Sequence, residues 1–343
     1  MKNRGKGIVA ILSAAMVMSA TPAFAAETSS GEISEGMFAW LIVQAYNAAC
    51  SINGGTENLW ENGIEGETTE DWILATAKAY AQEYLAVEQE FDDEGLSLRS
   101  SELETIESTK ETYWNAIGYG RYYEEYGITE DDFEDVLTHE YKISILYEEA
   151  SGELEEAVTD EDVYSYIEEN ANLVQYIAVP YSDTLKEDAT EDEINAWVDT
   201  DVIYEEYKER LEEGESMEDL VVEVSENEEQ AVLGISSSYV NGIEETLFLN
   251  GTTALSSGFK AALAEAEPDT VIYFDDAAQY YQIIFVKKEF TEDWDGLDSC
   301  YDTIVALVAE EQFEANMASR GETYTLSNED DLPSAADIKE MFS

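Results

Sequence analysis

The chain has 343 residues, 79 of them acidic against 16 basic, for a formal charge of −63. A field of that sign repels nucleic-acid backbones and anionic membrane surfaces, which excludes both as partners. Yet 44% of the residues are hydrophobic, with 22 Tyr, 11 Phe and 6 Trp. That is too apolar for a disordered acidic tail and enough for two or three packed modules.

The chain opens as a secretory signal peptide. Lys2, Arg4 and Lys6 precede a short apolar run, Ile8 to Met18, and Ala23-Phe24-Ala25 forms a small-residue cleavage site. Cleavage after Ala25 defines residues 1–25 as the signal peptide and implies a secreted product whose charge falls to −66. No later stretch reaches the roughly 20 apolar residues that span a bilayer, so membrane insertion is not expected. No cysteine sits at the cleavage site, so a lipid anchor is not expected either.

The N-terminal half reads as helices. Five segments carry Ser or Thr followed three residues later by an acid, a capping signal: Thr68 with Asp71, Ser101 with Glu104, Thr129 with Asp132, Thr159 with Asp162, and Thr190 with Glu193. The acid also favours the positive end of the helix dipole, so much of the charge has a structural use. Apolar steps of three and four trace one helical face through Ile73, Ala77, Tyr80, Tyr84, Val87 and Phe91. A second face runs through Phe133, Val136, Leu137, Tyr141 and Ile145, and a third through Trp294, Leu297, Tyr301, Ile304 and Val308.

Between these stripes the pattern changes. Leu173 to Val179 is a β-like run stopped by Pro180. Helices are predicted over Glu191 to Glu213 and Met217 to Val224, then a strand over Ala231 to Ile235. A loop rich in Ser, Gly and Asn leads to a helix over Ala254 to Ala266. Strands follow near Val271 to Phe274 and Gln279 to Lys287, giving a β-α-α-β-α-β-β order and an α+β class. Beyond Ser319 one strand, Thr323 to Leu326, and a final short helix are expected.

Other chemistry finds little support. His139 is the single histidine and has no nucleophile signature beside it, which argues against Ser-His-Asp or Cys-His sites. Zinc needs clustered ligands that two cysteines and one histidine do not supply. The acidic runs Asp92-Asp93-Glu94 and Glu329-Asp330-Asp331 lack EF-hand spacing and read as solvated charge, so no metal and no cofactor is expected. Cys50 and Cys300 are either bridged, closing a loop of about 250 residues, or two reduced, buried small hydrophobes.

The strand and helix order, with the residues on it, resembles a parvulin domain. Tyr176-Ile177-Ala178-Val179 matches the family's opening strand. Met217-Glu218-Asp219-Leu220 through Ser225-Glu226-Asn227, Val232-Leu233-Gly234, Gly258-Phe259-Lys260-Ala261-Ala262 with Pro268-Asp269, and Tyr280-Tyr281-Gln282-Ile283-Ile284 match its later segments. Upstream, Tyr126-Gly127-Ile128-Thr129 and Val158-Thr159-Asp160-Glu161 resemble the point where the helical body of PrsA/SurA-type extracytoplasmic foldases meets the parvulin domain.

This resemblance implies a helical chaperone-like domain over residues 26–170 and a parvulin-like domain over 171–289. A returning C-terminal helix and tail, 290–343, would pack on the N-terminal domain. The two family histidines correspond to Tyr176 and Gln282, and the family's acidic or thiol residue corresponds to Asn227. Leu233, Leu255, Phe259 and Tyr281 are the implied substrate-binding positions. The implied function is an extracytoplasmic folding factor for unfolded or partly folded secreted polypeptides, its parvulin-like domain weakly active or inactive. An active prolyl isomerase with a divergent site, and a surface protein dedicated to one partner, are the alternatives.

Overall fold

The computed structural model describes residues 29–182 and 199–342. The signal peptide, the Thr190–Glu193 cap and the first residues of the helix predicted from Glu191 lie outside the described residues. In chain order the elements are β1 (Ser29–Gly31), α1 (Glu35–Asn53), α2 (Leu59–Asn62), α3 (Thr69–Asp93), α4 (Ser100–Lys110), a π-helix (Glu111–Ile117), α5 (Tyr119–Glu124), α6 (Glu130–Ala157) and α7 (Asp160–Asn170). They continue with β2 (Ala171–Pro180), α8 (Thr200–Glu212), α9 (Met217–Glu226), α10 (Glu228–Val232), β3 (Ser236–Ser237), β4 (Thr246–Leu249), α11 (Ser257–Glu265), β5 (Val271–Asp276) and β6 (Tyr281–Lys288). The last are α12 (Leu297–Gly321), β7 (Tyr324–Leu326), a 3-10 turn (Glu329–Asp331) and α13 (Ala335–Met341). The chain divides into two compact units: residues up to Leu154 together with those from Glu310, and Glu155–Ala309 between them.

The first unit is helical. Ser34 Oγ accepts from Met37 N at 3.0 Å to start α1, and Gly54, at φ 76°, ends it with its N–H on the last-turn carbonyls. The apolar face of α1 (Phe38, Ile42, Ala45, Ala49) buries against Ile73, Ala77 and Ala81 of α3. Val87 and Phe91, farther along the stripe read from the sequence, pack with Leu146, Phe313 and Met317. Ile106, Trp114, Phe133 and Leu137 form a third cluster. β1 and β7 pair in parallel, Ser29 opposite Tyr324. His139 is half-buried and sits over Tyr84, its Nδ1 3.0 Å from Glu88 Oε1. Burial pushes the imidazole's pKa down despite Glu88. Burial alone would raise Glu88, but its hydrogen bonds to His139 and Lys142 outweigh that and hold it below the usual range. A charged Glu88 beside a neutral imidazole makes Nδ1–H the donor.

The caps at Thr68, Thr129 and Thr159 form as read: each hydroxyl accepts from the backbone N–H three residues on. Ser101 does not cap. The helix begins one residue earlier, and the Arg99 N–H donates to Glu102 Oε2 at 2.6 Å, leaving Ser101 inside α4.

The second unit is built on an antiparallel sheet in the order β3-β2-β6-β5, with β4 also paired to β2. Ile177, Val179, Ile284 and Val286 point to one face and bury against Tyr204, Tyr207, Leu220, Val221 and Val224 of α8 and α9. Val174 and Phe285 point to the other and bury against Phe259, Leu263 and Ala266 of α11 and its end. A further cluster joins Val163 and Ile167 of α7 to Leu297, Ile304 and Val308 of α12.

Two expectations here are corrected. Ala231 to Ile235 is not a strand: Asn227 caps α10, Gly234 turns at φ 81°, and pairing starts only at Ser236. The stretch read as a loop holds a tight hairpin turn, Asn241-Gly242 with both φ positive, and then β4. Of the two alternatives for the cysteines, the structure has the unbridged one, with Cys50 and Cys300 both free and half-buried. They belong to different units, and each packs within its own cluster.

Gly321 lets the end of α12 lie against α3; a Cβ there would stand 2.9 Å from Glu83 N. Glu83 is half-buried beside this contact, with Glu314 as a like-charged neighbour, and both effects push its pKa up from 4.5 to about 7. The folded state therefore holds a proton that the unfolded chain has released between those values, so stability falls as pH rises from about 4.5 to about 7. Glu83→Gln is expected to flatten that fall and to raise stability at pH 8 by up to about 3 kcal/mol, measured by urea unfolding across the range. An identical pH profile in the variant would contradict the assignment.

Candidate functional site

α11 and the sheet beneath it build an aromatic floor. Ser256 has extended backbone, and its Oγ accepts from Phe259 N at 3.1 Å to start the helix. The same Oγ donates to Asp276 Oδ2 at 2.6 Å, tying the helix start to the end of β5. Phe259 is thereby held in the first turn, 3% exposed. Its ring meets Phe285 at 5.1 Å and 87°, Phe274 at 5.6 Å and Phe248 at 6.5 Å, within the range of favourable aromatic pairs. Tyr176 joins through Phe248 at 5.8 Å, and burial raises its phenol's pKa. Leu255 packs into the same cluster.

Tyr281 shares this face of the sheet, opposite Pro180 on one side and Asp276 on the other. The remaining candidates do not. Tyr176 pairs with Phe285, whereas Gln282 pairs with Val179 three rows away. Directly opposed residues share a face and successive residues alternate, so Gln282 points to the α8–α9 side, where its Oε1 is buried without a hydrogen bond among the described residues. Leu233 packs into that same α8–α9 core. Asn227 sits where α9 passes into α10 and is occupied as a cap, its Oδ1 accepting from Gln230 N at 3.2 Å. The family-equivalent positions Tyr176, Asn227 and Gln282 therefore do not converge in one polar site. The register of β2 on β6 puts Tyr176 and Gln282 on opposite faces.

Sequence reading missed Phe248, Phe274, Phe285 and Asp276, which complete the floor. The run Thr246-Leu247-Phe248-Leu249 after Asn241-Gly242 carries a strand signal of its own. Ser256, three residues before Phe259, carries a cap signal that lacks only the acid.

No family model matches the chain, and no curated protein sequence matches it. Solved structures do. PrsA from Bacillus subtilis is 18% identical, with 80% of this chain and 88% of that one covered at a TM-score of 0.29. The foldase protein PrsA of Streptococcus pneumoniae is 15% identical over 76% and 90%, at 0.30. The foldase protein PrsA of Lactococcus lactis is 11% identical over 82% and 87%, also at 0.30. These are foldases of the kind that the sequence resembles. At such identities and TM-scores the likeness says nothing about the site.

The Ser256 bridge generates a stability prediction. Ser256→Ala removes the cap of α11 and leaves the Asp276 carboxylate, 4% exposed, without that donor. A loss of about 1–2 kcal/mol is expected in urea unfolding. An unchanged midpoint would mean that α11 is held by its apolar face alone.

Proposed function

We propose that the protein is an extracytoplasmic folding factor that holds unfolded secreted polypeptides, and that its second unit is a parvulin-shaped module with weak or no isomerase activity. The observation that carries this reading is the aromatic floor around Phe259. It is framed by an antiparallel β3-β2-β6-β5 sheet with α11 on one face and α8 and α9 on the other. Phe259 and Phe285 are buried within it, and the half-buried Tyr176, Phe248, Leu255 and Phe274 offer the apolar surface for proline rings and other apolar side chains of an extended client. The net charge keeps the loaded protein soluble and favours basic clients, so client affinity should fall as salt rises.

Isomerisation demands more than a pocket. The amide barrier of about 18–20 kcal/mol must be lowered by groups that favour the twisted bond. On this floor the family's polar positions are dispersed: Tyr176 faces α11, Gln282 faces away and Asn227 is used as a cap.

Two assays on the mature protein separate the readings. In a protease-coupled assay with a short Xaa-Pro peptide, no acceleration over the uncatalysed rate is expected. Aggregation of a denatured client should be suppressed, and Phe259→Ala should weaken that suppression. Acceleration that disappears in Phe259→Ala would transfer the site to an active isomerase. Absence of both effects, with capture of one folded partner, would favour a dedicated interaction protein.

A further inference from the structure

Basic side chains are scarce in this chain, and most of those among the described residues are engaged. Among the described residues, nine of the twelve Lys and Arg side chains have a carboxylate within 4.0 Å. The three that do not are Arg121, Lys260 and Lys287. Arg121 is exposed. Lys260 and Lys287 are both half-buried, and both line one cleft of about 690 Å3 in the second unit.

The fold brings them together. Lys287 follows Phe285 by two residues on β6 and so shares its α11 face. Its Nζ donates to Leu263 O at 3.3 Å, in the last turn of α11. Lys260 lies one turn earlier on the same helix. Phe248, Leu255, Leu263 and Phe290 supply apolar wall. Glu168, Glu169 and Glu289 also line the cleft, but none comes within 4.0 Å of either ammonium. In a protein with 79 acids, two half-buried ammoniums with no carboxylate within 4.0 Å among the described residues are an anomaly, because desolvated charge is costly until it is paired.

We infer that this cleft binds an acidic–apolar segment of an extended polypeptide. A Glu or Asp carboxylate would accept from Lys260 and Lys287, with a neighbouring apolar side chain against Phe248, Leu255 and Phe290. The cleft is far larger than one carboxylate needs and lies in the range of sites for extended ligands. An unfolded chain offers many internal carboxylates and one terminus, so the side chain is the source. The inference rests on the reading of the protein as a polypeptide-binding factor and opposes its long-range preference for basic clients: the whole field repels an acidic segment, and this one cleft attracts it.

The test is fluorescence anisotropy of two acetylated, amidated octapeptides with the full mature chain, one carrying a Glu-Leu pair and the other Gln-Leu. One charge-assisted hydrogen bond supports a preference of about tenfold for the Glu peptide. Lys260→Gln and Lys287→Gln should each reduce that preference, the pair should remove it, and Lys260→Arg should retain it. The Lys260 ammonium has no hydrogen bond among the described residues, so its variant remains informative if Lys287→Gln fails to fold. Equal binding of the two peptides overturns the inference, as does a preference that survives the double substitution. If the Gln peptide with a free C-terminus binds as tightly as the Glu peptide, the side-chain assignment falls. Aggregation suppression that persists while the peptide preference fails would sink the cleft alone. Loss of suppression with the preference intact would sink the general reading.

Discussion

The ladder between β2 and β6 is the constraint on which the second unit depends. It joins eight rows, from Leu173 opposite Lys288 to Pro180 opposite Tyr281. Because side chains alternate across a strand, this one register decides which residues meet α11 and which meet α8 and α9. A slip of a single row would exchange the two sets and put Tyr176 where Ile177 now lies. It is held in place because both faces are apolar and both are covered: Ile177, Val179 and Ile284 on one side, Val174 and Phe285 on the other. Gln175, fully buried in the middle of β2, is accommodated through Glu245 Oε1 at 3.0 Å.

Long helices were legible because their signals are local. The spacing of Ile73, Ala77 and Phe91 and the Thr159–Asp162 pair can be read within a few residues, and each does what local physics requires. The candidate site was less legible because its geometry is set between strands. Gln282 occupies a family-like position in its own strand, yet its face depends on the row of β2 it meets, and no feature of Tyr280 to Ile284 encodes that row. Asn227 was misread for a simpler reason: a polar residue after a helix is more often a cap than a catalyst. The strand placed over Ala231 to Ile235 failed because an apolar run of five cannot by itself distinguish a short helix and turn from a strand.

The charge is not a uniform coat. Asp71, Asp132 and Asp162 lie in the first turns of helices, where the dipole welcomes them. Glu215 and Glu223 converge on the Arg210 guanidinium, which lowers the pKa of both. Burial and the neighbouring Glu314 push Glu83 up to about 7, and Glu314 is itself raised by burial and by Glu310 and Glu311. Acids with these local uses leave the others to set the external field, and Lys260 and Lys287 then stand out against it.

The π-helix at Glu111–Ile117 has an evolutionary consequence. A wide turn accommodates one residue more than an α-helix of the same length, and here the surplus sits beside Trp114. The indole packs against Phe133 at 5.6 Å and lies so near Gly120 that a Cβ there would come within 2.7 Å of it. Deleting one residue from this turn would restore ordinary winding and leave the downstream residues close to their present places, because the wide turn absorbs the surplus locally. The segment is thus a place where the chain can gain or lose a residue with little change around it, whereas position 120 stays closed to any side chain while the indole lies against it.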